Sequence, residues 1–318
     1  MGMKIYAPNY YGNFKCIAGA CKHSCCIGWE IDIDEVSLER YRAISGELGE
    51  RLKQNIEWDG ECPHFITDDS DKCPFLNTDG LCDLIIAQGE EVLCDICREH
   101  PRFRNYFSDR VEIGLGMCCE AAAELILSNK DKVFLCCYGE AEDDTEEPSL
   151  EEMEFFELRG RLMQVLQDRD MPISCRLEAV LRMVGAEGMT LDEEELKELF
   201  SSLEYMDEEF WRIIQKATAV SDIVIDDCKL SVPSEQLAVY FILRHLSDGI
   251  YSDDISERVA FAVLCVKMVL SLSVFVCKGA DVELSMLCDM ARRYSAEIEY
   301  SVENTETILS ALVDKMYN

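Results

Sequence analysis

A mainly α fold is predicted, with an irregular Cys-rich metal-binding N-terminal region carrying a few short strands, followed by an all-helical C-terminal region. Three observations predict it. Thirteen of the eighteen cysteines fall within the first 137 of 318 residues. Ten acidic residues and no basic ones lie between Glu140 and Glu157, a charged stretch suited to a boundary. Beyond it, apolar residues recur at helical spacing behind capping signals. The expected organisation is a Cys-rich cluster-binding domain over 1–138, an acidic hinge over 139–157 and a helical domain over 158–318.

The elements follow in order. Glu30-Ile31-Asp32-Ile33 alternates as a strand does, and Asp34 is placed to cap a helix with Val36, Leu38, Tyr41 and Ile44 on one face. Gly46 and Gly49 weaken its continuation toward Ile56. Glu120 to Leu127, with three alanines, predicts a helix, and Lys132 to Tyr138 a strand. Ser149-Leu-Glu-Glu152 and Thr190-Leu-Asp-Glu193 match the capping box, in which a hydroxyl and a carboxylate satisfy two free amides reciprocally. Pro172 and Pro233 sit near expected first turns. Leu237, Tyr240, Phe241, Arg244 and His245 share helical spacing, as do Leu284, Leu287, Met290 and Ala291.

Composition excludes some functions. Sixty-three acidic side chains against thirty basic ones give a formal net charge of −33, which would repel a phosphate backbone, so nucleic acid is not an expected partner. The same potential attracts cationic partners. Ala260 to Cys277 is apolar enough to test as a membrane span, but Lys267, Ser271 and Ser273 interrupt it, and it reads as a buried core helix with no membrane role. The N-terminus has no apolar leader, so a cytoplasmic location is expected, where thiols stay reduced and bind metal rather than pair as disulfides.

Soft thiolate sulfur matches zinc and iron, and a C-x2-C spacing lets one turn of backbone deliver two ligands, as Cys94 and Cys97 could. Cys16, Cys21, Cys25, Cys26, Cys73 and Cys82 share the region. Adjacent Cys25 and Cys26 point in different directions in any regular backbone. Either one of them packs as a small hydrophobe, or the eight thiols divide between two sites. His23, His64 and His100 lie near enough in sequence to complete a zinc site. Cys118-Cys119 and Cys136-Cys137 raise the same question less strongly. Cys175, Cys228, Cys265, Cys277 and Cys288 occupy apolar helical positions and read as packing.

Pro8-Asn9-Tyr10-Tyr11 leading into Phe14-Lys15-Cys16, then Cys21, Cys25-Cys26 and Gly28-Trp29, then Cys73-Pro-Phe-Leu-Asn77 with Gly80-Leu-Cys82, then Cys94-Asp-x-Cys97 with His100-Pro-Arg-Phe103, resemble the flagellin lysine N-methylase family. The resemblance extends to a wider group of cysteine-cluster, zinc- or iron-chelating domains. It is dense over residues 4–127 and fainter at Gln236 to Arg244. It implies methyl transfer from S-adenosylmethionine to lysines of flagellin, with an iron–sulfur cluster of the 4Fe–4S type. The ligand pool it implies is Cys16, Cys21, Cys25, Cys26, Cys73, Cys82, Cys94 and Cys97, with zinc as the alternative metal. Gly28 stands where a radical-type C-x3-C-x2-C motif would need its third cysteine, so radical chemistry is not expected. No Gly-rich loop between a strand and a helix marks a cofactor site.

A lysine amine attacks a methyl group only when neutral, and its unperturbed pKa near 10.4 keeps it protonated at neutral pH. Tyr10, Tyr11 and Tyr240 are candidates for the catalytic group that accepts its proton. Arg98, Arg102 and Arg104 are candidates for holding the cofactor carboxylate or offsetting cluster charge. The alternative is a non-catalytic interaction module stapled by zinc or iron, since structural metal contributes folding energy without any substrate.

Overall fold

The computed structural model describes residues 2–58, 60, 62–142, 145–217, 229–279 and 281–317. Cys228 lies outside them. The chain forms two compact units, a thiol-rich unit of Lys15–Arg102 with Cys119–Ala121, and a helical unit of the remaining segments. The fold is mainly α, with short strands in the N-terminal part and helices after them.

In the thiol-rich unit, Asp34 caps α1 (Glu35–Ala43) by accepting the Ser37 amide at 2.8 Å, as expected of an Asp at this position. The chain turns through Ile44 and Gly46, whose φ of +80° is easiest for glycine, and restarts as α2 (Gly46–Gln54). Gly49 is needed within α2 because a Cβ there would stand 2.1 Å from the Ile44 carbonyl oxygen. The hairpin β2 (Ile56–Trp58) and β3 (Pro63–Phe65) follows. The 30–33 segment is extended but joins β3 only through an isolated bridge, Asp32 to His64, flanked by Phe65 N–H to Ile31 O at 3.1 Å and Ile33 N–H to Pro63 O at 2.7 Å. Short helices α3 (Asp83–Gln88) and α4 (Asp95–Glu99) complete the unit. Its core gathers Ile31, Ile33, Tyr41, Leu52, Phe65, Phe75 and Leu84, together with cysteines.

The helical unit contains a sheet ordered β4-β5-β1-β6. Strand β1 (Met3–Pro8) runs parallel to β5 (Arg110–Leu115) and antiparallel to β6 (Leu135–Ala141), with β4 (Arg102–Tyr106) outside β5. The expected strand at 132–138 is displaced to 135–141. Helix α5 (Glu120–Leu127) lies between β5 and β6 in the chain. On the Glu112 face of β5, α6 (Leu150–Leu166) brings Phe155 and Phe156 against Phe107. Arg159 of α6 bonds both oxygens of buried Glu112 at 2.6 Å, a paired charge where an unpaired one would be costly.

The Ser149 capping box forms with both halves present. The second box shifts two residues: Asp192, not Thr190, caps α8 (Glu193–Ser202), because its carboxylate reaches the Glu194 and Glu195 amides, each at 3.0 Å. Pro172 stands immediately before α7 (Ile173–Met183), and α9 covers Glu208–Ile214. Helices α10 (Ser231–His245), α11 (Ile255–Val276), α12 (Leu284–Tyr294) and α13 (Val302–Tyr317) complete the unit. Helix α11 is long and apolar enough to cross a membrane, yet 78% of its most apolar window is buried inside the fold. A helix apolar all round suits such a central position.

Candidate metal centre

Backbone pairing in the thiol-rich unit draws distant cysteines together. The Cys73 amide donates to the Cys26 carbonyl at 2.8 Å, beside a bridge between Ile27 and Lys72. A tight turn at Asn77 to Gly80, with Gly80 at φ +72°, folds Cys82 back into a bridge with Leu76. Cys94 precedes α4 and Cys97 lies on it, with the Arg98 amide bonded to the Cys94 carbonyl at 3.0 Å. The Asp95 amide donates to Asp34 at 2.9 Å, joining the starts of α4 and α1.

Cys73 and Cys94 are buried in the unit's core, and Cys26, Cys82 and Cys97 pack against it. These five interact electrostatically. Burial lifts the Cys73 thiol to about 12, with Cys26, Cys82 and Cys94 adding to the rise. Cys97 is raised by its hydrogen bond to Cys94 and by burial, with Cys26 and Cys73 contributing, and Cys94 is correspondingly lowered. Hydrogen bonding from Cys25 brings Cys26 down to about 7 against the cost of burial. The Tyr41 hydroxyl, buried and without a hydrogen bond of ordinary geometry, lies beside Cys94 and Cys97.

A second group is more exposed. Cys25 senses Cys16 and Cys119, and Cys21 senses Cys119 and Glu120. Glu120 accepts the Lys22 amide at 2.9 Å and the Cys21 thiol at 3.6 Å. Adjacent Cys25 and Cys26 therefore face different groups, although the Cys25 thiol hydrogen-bonds to Cys26. Cys119 is absent from the ligand pool expected from the sequence. Its position in a Cys-Cys pair just before α5 was the available signal.

Among the described residues the cysteines are free of disulfides. Likewise, no three His, Cys, Asp or Glu side chains among them stand at metal-holding geometry. In kind the donors fit a thiophilic metal or cluster, because the inner group alone offers more than the four thiolates a closed site uses.

A stretch of 139 residues, 41% of the chain, is 27% identical to proteins named Lysine-N-methylase from Salmonella choleraesuis strain SC-B67 and Salmonella typhimurium strain LT2. The chain is thus similar to lysine N-methylases. The match spans about a third of the length of those two proteins (34%) and 81% of a similarly matched Flagellar biosynthetic protein FliU from Salmonella muenchen. No family model and no solved structure matches the chain.

The other candidates distribute as follows. The His64 ring lies 3.3 Å from the Cys62 carbonyl, and His100 packs against Trp29, with burial and Arg102 depressing its pKa to about 4. His23 offers its carbonyl to the Cys21 thiol at 3.2 Å. Arg98 pairs with Asp95, Arg102 donates to the Arg98 carbonyl at 3.3 Å, and Arg104 belongs to the helical unit. Tyr10, Tyr11 and Tyr240 also belong to that unit, and all three are buried. Tyr11 meets Tyr138 edge-on, whereas the Tyr240 hydroxyl accepts from the Met117 amide and donates to Glu299, each at 3.1 Å. Cys136 bonds the Ala7 carbonyl across the sheet, and Cys265 accepts from Tyr294 at 3.3 Å, both as packing thiols. Cys175 differs from expectation: it lies on the exposed side of α7.

Proposed function

We propose that this chain is a protein-lysine N-methyltransferase that acts on flagellin in the cytoplasm, with S-adenosylmethionine as methyl donor and a cysteine-held iron–sulfur cluster. The likeness to lysine N-methylases carries the reading. The gathered thiols support its cluster component. The neutral lysine nitrogen attacks the sulfonium methyl carbon, a C–N bond forms as the C–S bond breaks, the thioether leaves, and a proton passes to a base.

The chain's own residues contribute in definable ways. Cys26, Cys73, Cys82, Cys94 and Cys97 would supply the inner ligands, and Cys16, Cys21, Cys25 and Cys119 form a further pool. The hydrogen bond from Cys25 lowers the Cys26 thiol pKa and so favours the thiolate that ligates metal. The Tyr41 hydroxyl is placed to donate to a ligand sulfur and so orient it. When bound, a cluster supplies redox capacity and cross-links segments that are distant in sequence. The excess of acidic side chains favours approach of both the lysine and the sulfonium.

A second reading has one observation in its favour. Cys73 and Cys94 sit inside the hydrophobic core, where zinc or iron would staple the fold of a non-catalytic interaction module. Anaerobic purification with iron, zinc and sulfide analysis separates the two, together with transfer of labelled methyl from S-adenosylmethionine to flagellin. Iron with acid-labile sulfide and label on lysine is the expected result. Stoichiometric zinc without sulfide, and no label, would establish the module instead.

A further inference from the structure

A second polar site lies wholly within the helical unit. Between α12 and α13 the backbone opens into a π-helical turn, Ser295–Glu299, closed by Tyr300 N–H to Ser295 O at 3.2 Å. Such turns recur at functional sites because they redirect a side chain at a cost in regularity. Here the Asn304 amide and Thr305 hydroxyl take up the Glu297 and Ile298 carbonyls at 2.8 and 3.0 Å, and Glu299 is completely buried. Its carboxylate meets His245 at 2.7 Å and Arg244 Nε at 3.0 Å.

Arg244 is held unusually firmly. Its guanidinium lies between the rings of Phe103 and Tyr300, 4.8 and 4.9 Å from their centroids, and its side chain is only 12% exposed. The buried Nε faces Glu299 without hydrogen-bond alignment, and the two terminal nitrogens have no hydrogen-bond partner among the described residues. This guanidinium borders a cavity of about 360 Å³ that also meets Arg258, Asp248 and Glu306. A flat, clamped arginine with unused donors is a receptor for a planar carboxylate. A multiply charged anion such as phosphate would face Glu299, Asp248 and Glu306 as well. A carboxylate accompanied by an ammonium satisfies both signs at once.

We propose that this cavity binds an α-amino acid zwitterion, with Arg244 taking the carboxylate and Glu306 the ammonium, since Asp248 already faces Arg258 at 3.4 Å. On the lysine-methylation reading, on which this step rests, the zwitterion is the amino-acid end of S-adenosylmethionine. The carboxylate clamp is then Arg244 rather than Arg98, Arg102 or Arg104. The volume falls in the range of small-molecule sites.

The test is calorimetric titration of the full chain with S-adenosylhomocysteine, 5′-methylthioadenosine, which lacks the amino-acid arm, and L-methionine, which lacks the nucleoside. S-adenosylhomocysteine should bind at least about 10-fold more tightly than either fragment, and Arg244→Lys should weaken it by about 10- to 100-fold, as expected for lost charge-assisted bonds. Glu306→Gln, at an exposed rim position, keeps the test valid should Arg244→Lys fail to fold, and should weaken binding severalfold. L-methionine binding as tightly as S-adenosylhomocysteine would keep the zwitterion and replace its source by a free amino acid. Equal binding of methylthioadenosine, or affinity unchanged in either folded variant, would overturn the proposal. Labelled-methyl transfer is measured separately: transfer with Arg244-independent binding overturns this site alone, and Arg244-dependent binding without transfer overturns the methylation reading alone.

Discussion

Glu299→Gln should be among the most destabilising single changes in the helical unit. The wild-type carboxylate has no solvent exposure and serves His245 at 2.7 Å, Arg244 at 3.0 Å and the Tyr240 hydroxyl at 3.1 Å. Glutamine preserves shape and can accept one bond, but it leaves the Arg244 charge uncompensated between two rings. Breaking a buried pair in this manner costs about 3–5 kcal/mol. Urea unfolding of the full chain, followed by far-UV circular dichroism, measures the loss at pH 7. The double variant Arg244→Met with Glu299→Gln removes both charges and should recover part of it, as a coupling of about 1 kcal/mol or more. Acidity adds a second readout. Burial pushes the Glu299 carboxyl up, but His245 and Arg244 more than offset this and hold it below the ordinary range. A depressed carboxyl contributes stability that is complete above its unfolded value, about 4.3, and that disappears as pH falls through the lower folded value. The variant should lack that acid-side loss. A cost under about 1 kcal/mol at pH 7, or an identical acid profile in both proteins, would refute the account of Glu299 as a paired buried anion.

Two further outcomes follow from the packing. Cys73→Ser and Cys97→Ser should each lower bound iron or zinc by at least half, whereas Cys265→Ser, whose sulfur takes the Tyr294 hydroxyl in the helical unit, should leave metal content unchanged; equal loss in all three would contradict the thiol assignment. Gly114→Ala would place a Cβ 2.1 Å from the Phe103 ring, the ring that clamps Arg244, so it should cost roughly 1–3 kcal/mol and weaken S-adenosylhomocysteine binding. An unchanged melting temperature by calorimetry counts against that steric reading.

Much of the thiol-rich unit is legible in the sequence because its chemistry is local. The cysteines fall in closely spaced groups, and the turn that returns Cys82 to Leu76 is announced by Asn77 and Gly80. The Asp34 cap and the Ser149 box are equally local, with each partner three residues from its cap. The shift of the second box from Thr190 to Asp192 shows the limit of such signals: two capping residues compete within one turn, and the one reaching both free amides wins. Cys119 escaped because its neighbours in space lie about a hundred residues earlier in the chain, so no spacing rule connects them. Parallel pairing of β1 with β5 joins residues 4–6 to 110–112, and composition carries no record of such a pairing.

The Arg244 site was illegible for a deeper physical reason. Phe103, Arg244, Arg258 and Glu299 come from four separate elements, and each taken singly is an ordinary residue for its place. Arg244 and His245 fit the helical period of α10, and Glu299 sits in one of many acidic stretches. What distinguishes the site is the charge pair of a fully buried Glu299 and a largely buried Arg244, which depends on the π-helical turn. That turn depends in turn on Asn304 and Thr305 satisfying its displaced carbonyls. Burying a carboxylate and a guanidinium together would carry an unrecovered desolvation penalty if packing were the only purpose. Apolar residues of similar volume would pack as well at lower cost. The retained charges, with terminal nitrogens left open to a cavity, are better explained by a ligand that completes them.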